Sequence, residues 1–371
     1  MSSYLVSGQI EVSVFINDTE YPLGALNLLH ALHIATSVRY AMPMLTLQVT
    51  DSQRLMERIG LKDGVPIRIV IKAQGKDSKT YKFRNFNHTR QQDGASYVYR
   101  IYGIWDNPLY WNTSTAEGIQ GTTNDVMSRI ADKCGLTYDG TKTNDSQLWM
   151  PQNKLYRAWA AELCACAYVN DTSCLSLGLD LDGVLRFKDI NNLPKAEKTI
   201  IAYQYKENAF TAVDFQVTTA SGFNNALTGY QNMRFSQSSV EDQIQEEINS
   251  LTFKSDVKAP LFNTDLKNKI GRGAVRFGPI DSGNVHQKYE RAKYQNVRYS
   301  NLFNLGLDVL VSMPTNIKLL EQINFSVQKE DTSIDAATSG IYTVSGHSIY
   351  VEAATYSEKV GLTRHGTNEN K

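Results

Sequence analysis

From Leu305 to Gly366, apolar residues recur at every second position in run after run. A chain patterned this way can bury them only as one face of pleated strands. Leu305, Leu307, Val309 and Val311 share one face, Met313-Pro314-Thr315-Asn316 turns the chain, and Leu319 to Val327 begins a second extended run. After an Asp/Ser/Thr/Ala loop from Glu330 to Ser339, the segments Gly340 to Val344, Ile349 to Val351 and Val360 to Leu362 complete a small antiparallel sheet. No cluster of catalytic residue types accompanies the pattern, so the segment reads as scaffold.

A chain of 371 residues exceeds one ordinary core, and two to four domains are expected. Its 38 basic and 38 acidic residues cancel, which leaves no electrostatic case for a nucleic-acid binder or a membrane-surface protein and favours association with other subunits. Met1 to Gly8 lacks the basic-then-apolar order of a secretory signal. The uncharged stretch Leu23 to Val38 carries Asn27, His30 and His33 and is too short and polar to span a bilayer. The four cysteines, Cys134, Cys164, Cys166 and Cys174, match no zinc or redox spacing and read as buried thiols of a protein assembled in a reducing cytoplasm.

The fold class is α+β, mainly β: two tube-like β-barrel or sandwich domains with helix-containing accessory domains. Residues 1–106 form the first β-domain. Ile10, Val12, Val14 and Ile16 alternate, Leu32 to Tyr40 alternates again, and Leu45, Leu47 and Val49 follow Pro43. Ser52 is positioned to cap a short helix, Gln53 to Ile59, stopped by Gly60. Ile67, Ile69 and Ile71 resume the strands, and Asp93-Gly94 sets a hairpin into Tyr97, Tyr99 and Ile101. Residues 107–206 form an accessory domain. There Thr122 caps a helix that carries Val126, Ile130 and Cys134 and stops at Gly135, and a second helix runs from Lys154 to Ala167. Leu175 to Phe187 forms a hairpin around Asp182-Gly183. Residues 207–237 with 300–366 form a second, split β-domain in which Val213, Phe215 and Val217 alternate, followed by Leu227 to Phe235. Residues 238–299 are an inserted accessory segment, and 367–371 a flexible tail.

Catalytic, cofactor and metal signals are absent. His30 and His33 alone among the six histidines approach ligand spacing, and on a strand they face opposite sides. Asp281-Ser282-Gly283 resembles an aspartic-protease tripeptide but occurs once, where that chemistry needs two carboxylates; it reads as a turn. Asp180, Asp182 and Gly183 open like a calcium loop without its closing glutamate. Gly271-Arg272-Gly273 lacks the rest of a dinucleotide fingerprint. Between Lys288 and Tyr299 cations interleave with aromatics, a composition of single-strand grooves and also of subunit interfaces. With zero net charge the interface reading prevails, and Tyr289, Arg291, Tyr294, Arg298 and Tyr299 are the interface candidates.

The order of segments resembles that of the tail or baseplate hub proteins of contractile-tailed bacteriophages. The local cues are Val38 to Asp51 with Pro43 before its strand, Thr122 to Gly135 followed by Trp149-Met150-Pro151-Gln152-Asn153 and the alanine-rich helix, the Asp182-Gly183 hairpin, and Ser339 to Val344. The resemblance implies a structural virion protein assembled in the host cytoplasm. It would form a homotrimer whose two tube domains per subunit make a pseudo-sixfold ring between the hexameric tail tube protein and the trimeric central spike protein. DNA would pass only in transit, tape measure and baseplate wedge proteins would be neighbours, and cofactors would be none. Nothing after Gly366 suits a spike or lysozyme module, so such activities are expected of a partner chain. The N-terminal part of type VI secretion spikes, or a tailocin hub, is a related alternative. A cell-wall polysaccharide hydrolase with Asp281 among its carboxylates, and a nucleic-acid binder through 288–299, are rivals of different classes.

Overall fold

The computed structural model describes residues 4–6, 10–23, 29–170, 172–220, 233–238, 244–249, 259–260, 275–277, 304–328, 333–352, 355–364 and 366–367. The chain is mainly β with a few helices, the class expected from its pattern. It opens with β1 (Tyr4–Val6), β2 (Ile10–Ile16), β3 (Thr19–Tyr21), β4 (Leu29–Ser37) and β5 (Met44–Asp51), followed by the short helix α1 (Leu55–Ile59). Strands β6 (Pro66–Ala73), β7 (Lys79–Asp93) and β8 (Ser96–Trp105) complete this part. Ile10, Val12, Val14 and Ile16 are buried while Glu11 is exposed, as period-two patterning requires. Helix α1 is shorter than expected, and its cap differs. The Asp51 carboxylate at the end of β5 accepts hydrogen bonds from the N–H groups of Gln53, Leu55 and Met56 (3.2, 2.9 and 2.8 Å), so Asp51 takes the role assigned to Ser52. Gly60 stops the helix at φ 77°, as foreseen.

A second core gathers around α2 (Pro108–Asn112), β9 (Ser114–Thr115), β10 (Ile119–Gly121), α3 (Thr123–Lys133), β11 (Thr137–Gly140), β12 (Gln147–Trp149), β13 (Lys154–Leu155), α4 (Tyr156–Cys166), β14 (Leu175–Leu179) and β15 (Val184–Asp189). Thr122 and Asp125 close a reciprocal capping box at the start of α3. Val126, Met127, Ile130 and Ala131 are buried on one stripe, against Trp159, Ala160 and Leu163 of α4. Gly183, at φ 76°, makes the turn between β14 and β15.

The remaining described strands are β16 (Lys198–Ala202), β17 (Phe210–Ala220), β18 (Met233–Ser238), β19 (Ile244–Asn249), β20 (Ala259–Pro260), β21 (Val275–Phe277), β22 (Leu305–Val311), β23 (Gln322–Val327), β24 (Gly340–Glu352), β25 (Thr355–Arg364) and β26 (Gly366–Thr367). Gly340–Val344 and Ile349–Val351, read from sequence as separate runs, form one long strand with a bulge between Val344 and Gly346. The pairing order β24-β23-β16-β17-β22-β25, closed by β24 against β25, is a six-stranded barrel. It is not purely antiparallel, since β16 runs parallel to both β17 and β23. In β17, bulges flank the regular stretch Asp214–Val217, so Phe215 and Val217 keep the common face expected of them while Val213 falls at the first bulge. Val213 and Val217 are 48% and 45% exposed, while Phe215 packs edge-on against Phe325 at 5.4 Å.

The two β-cores share the β24–β25 hairpin. Gly346–Glu352 of β24 pairs with Ser37–Ala31 of β4, whereas Gly340–Thr343 pairs with Phe325–Gln322 of β23. Ile349, Val351 and Tyr356 accordingly pack into the N-terminal core, and Tyr342, Val344, Val360 and Leu362 into the other. Gly361 sits where the two strands cross the junction: a Cβ there would lie 3.3 Å from the Gly346 backbone nitrogen.

Candidate assembly surface

Sharing the hairpin makes one sheet run across both cores in the order β7-β8-β5-β4-β24-β25-β22-β17, every neighbouring pair antiparallel. One face of this eight-stranded wall is core. The other is traced by the cross-strand row Tyr102, Thr46, His33, Tyr350 and Ser357, and by Ala35, Ser348 and Lys359 beside it. Asp308 faces Gln216 and Gly361 on the second core's side. This outer face is polar and nearly charge-balanced. The Lys359 ammonium lies 3.0 Å from the Asp308 carboxylate, and the His33 ring stacks on Tyr350 at 4.2 Å. Burial, with a smaller effect from Lys359, pushes the His33 pKa down, which favours the neutral ring. A polar cleft of about 420 Å³ follows the face where the cores diverge, floored by Gly306, Gly346 and Gly361.

Beneath the junction lies a buried carboxylate, Glu358, 3% exposed. It accepts hydrogen bonds from the Thr315 N–H (2.9 Å), the Thr315 hydroxyl (2.5 Å), His347 Nε2 (3.1 Å) and the Tyr356 hydroxyl (2.6 Å). Burial pushes its pKa up, but the hydrogen bonds from His347, Thr315 and Tyr356 together with the His347 charge outweigh that, and the group is held below its ordinary value. The network ties the turn between β22 and β23 to the shared hairpin. Glu358 has the same strand parity as Tyr356, Val360 and Leu362, which marks it in the sequence as an inward-pointing charge.

Other buried carboxylates are likewise committed to structure. Asp145 accepts from the N–H and hydroxyl of Thr123 and from the Tyr168 N–H. Asp180 accepts from the N–H groups of Asp182 and Val184 and from Arg186 Nε at 2.6 Å, so the Asp180-Asp182-Gly183 motif is a hairpin turn whose carboxylate is fully used. Arg186 also bonds Asp139 at 2.6 Å. His30 is exposed and bonds the Thr50 hydroxyl, while His33 stacks on Tyr350, so the two do not converge. No cluster of metal-ligating residues occurs among the described residues. Cys134 and Cys174 are buried, and burial pushes the thiols of Cys134 and Cys164 up to about 11 and about 12. Tyr289, Arg291, Tyr294, Arg298, Tyr299, Asp281 and the Gly271-Arg272-Gly273 tripeptide all lie outside the described residues.

No protein-family model matches the chain, and no curated protein matches its sequence. Solved structures do match its fold. The tail protein from Neisseria meningitidis MC58 aligns over 96% of this chain and 97% of its own, at 10% identity and a TM-score of 0.59. The 43 kDa tail protein of prophage MuSo2 from Shewanella oneidensis aligns over 96% and 98%, at 10% identity and a TM-score of 0.61. A chain of the Francisella PdpA-VgrG complex aligns over 99% of this chain and 60% of its own, at 9% identity and a TM-score of 0.51. The chain therefore has the fold of phage tail proteins, in agreement with the tail-hub resemblance carried by its sequence pattern.

Proposed function

We propose that this chain is a structural, non-enzymatic tail component that forms a homotrimeric hub in the virion. Its two β-cores would present six similar surfaces from three subunits, so that a hexameric tail tube protein is met on one side and a trimeric spike protein on the other. The observation that carries this reading is the single eight-stranded wall across two β-cores, polar and charge-balanced on its outward face. Such a face suits the lining of a channel through which DNA passes: a wall without a strong cationic field does not hold a polyanion. The near-full-length fold likeness to two tail proteins supports the placement in a tail. The engagement of buried carboxylates in structural hydrogen bonds supports the absence of catalysis.

Assembly would occur in the host cytoplasm, with tape measure and wedge proteins as further neighbours. The likeness to a chain of the PdpA-VgrG complex favours, as a second reading, the same hub role in a related injection machine. Negative-stain images of the purified chain with its tube protein provide the test. Threefold rings with six lobes are expected. A chain that stays monomeric at high concentration and binds neither tube nor spike protein would refute the proposal, and clearing of cell-wall material in a zymogram would refute its non-enzymatic part.

A further inference from the structure

Strand β14 is the last of its three-stranded sheet and pairs with β15 on one side only. The Ile190 N–H donates to the Cys174 carbonyl and the Asp180 N–H to the Val184 carbonyl, so the even-numbered residues along β14 bond toward β15. By the alternation of an antiparallel ladder, Leu177 turns its N–H and C=O the other way, where no partner meets them among the described residues. There the strand edge opens into a cavity of about 310 Å³, walled by α4 through Arg157, Ala161 and Ala165 and by the turn at residues 38–41. Ser176 also lines it, and its hydroxyl has no hydrogen-bond partner although the residue is only 2% exposed. A buried polar group left in that state is a cost that a ligand can relieve.

We infer that this cavity takes the C-terminal residue of a partner protein, whose extended last segment adds to β14 at Leu177 and whose last side chain is apolar. Extended peptides add to bare strand edges through main-chain hydrogen bonds, while pockets hold alternate side chains. The free edge of β14 stops at Leu179, since the Thr36 hydroxyl already donates to the Leu179 carbonyl at 2.6 Å, and a chain added along the edge must end there. Charge decides which chain end this is. Arg157 and Arg39, the latter three residues along from Thr36, line the cavity, and no acidic side chain does. The Arg157 Nε is held on the Trp111 carbonyl at 3.2 Å, and no carboxylate pairs with this guanidinium among the described residues. An oriented fork of this kind suits a terminal carboxylate and repels an ammonium. The neighbouring Leu175, Leu177 and Ala161 offer apolar wall to the last side chain. The volume stands at the small end of ligand sites, roughly 300 to 1,000 Å³, and fits a residue or two. The site lies within one chain and does not depend on ring closure.

The test uses the full chain and fluorescein-labelled hexapeptides Gly-Ser-Thr-Val-Thr-X, with X Leu, Ile, Val, Met or Phe and a free carboxylate, read by fluorescence polarisation. At least one is expected to bind, and the same peptide amidated at its C-terminus to bind about tenfold more weakly. Arg157→Gln is expected to weaken the free-acid peptide by about the same factor, with Arg157→Lys between it and the parent. Ala161→Trp, at an exposed position on the cavity wall, is expected to abolish binding with an unchanged circular dichroism spectrum; should the Arg157 variants not fold, this one decides. At saturating peptide the Leu177 amide is expected to exchange more slowly with solvent. No binding by any of the peptides at about 1 mM would overturn the proposal. So would equal binding of the amidated form, binding retained in Ala161→Trp, or unchanged exchange at Leu177. Displacement of the peptide by octanoate would also overturn it and assign the cavity to a small free acid.

Discussion

At the residue scale, the decisive side chain is Glu358. A buried carboxylate is tolerated only when its oxygens are filled, and here four donors from three residues converge on it. Removing it would strand His347 and Tyr356 in the interior, and Glu358→Ala is expected to cost about 3 kcal/mol in denaturant unfolding. Because the folded-state pKa is depressed, the unfolded chain binds the extra proton. The stabilisation is therefore complete above the unfolded value of about 4.3 and disappears as pH falls through the folded value. A thermal-melting series should show an acid-side loss below about pH 4.3 that is reduced in Glu358→Gln. An unchanged acid limb in that variant would refute the assignment. Glu117, also depressed by its bond and ion pair with Lys133, is exposed and contributes little to that limb. The parity of Glu358 was readable from Tyr356 and Val360. Its partners were not, because Thr315 lies more than forty residues away in sequence and only the fold brings it near.

At the element scale, the shared hairpin explains why a pattern readable strand by strand did not disclose the architecture. Alternation identifies which residues of β24 point inward, but the inward side of Ile349 and Val351 belongs to a different core from that of Tyr342 and Val344. A bulge and two facing glycines at the crossing let one strand serve both. Ile349→Ala should therefore destabilise the N-terminal core by about 3 kcal/mol. Hydrogen exchange should show the loss first in the β4 amides, more than three hundred residues upstream. Protection lost only in β22 and β23 would refute this. The Ser52 expectation failed for a related reason: the end of β5 already places Asp51 over the first turn of α1.

At the scale of the whole molecule, two β-cores joined by one hairpin cannot open independently, since unfolding either one strips a hydrogen-bonded edge and buried side chains from the other. Calorimetry should show the two β-cores melting in a single transition, and two resolved transitions assigned by exchange to β2–β8 and to β16–β23 would refute it. By itself the sequence determined what local physics controls. Period-two burial marked strands such as β2, β5 and β22, the Thr122 cap and Gly135 bounded α3, and Asp182-Gly183 turned a hairpin. Tertiary structure alone decided which strands are neighbours: the parallel insertion of β16, the pairing of β4 with β24, and the continuity of the wall. The reason is physical, since alternation specifies which face of a strand is buried and is silent about its hydrogen-bonding edges, whose partners are chosen by whichever distant strand closes the core.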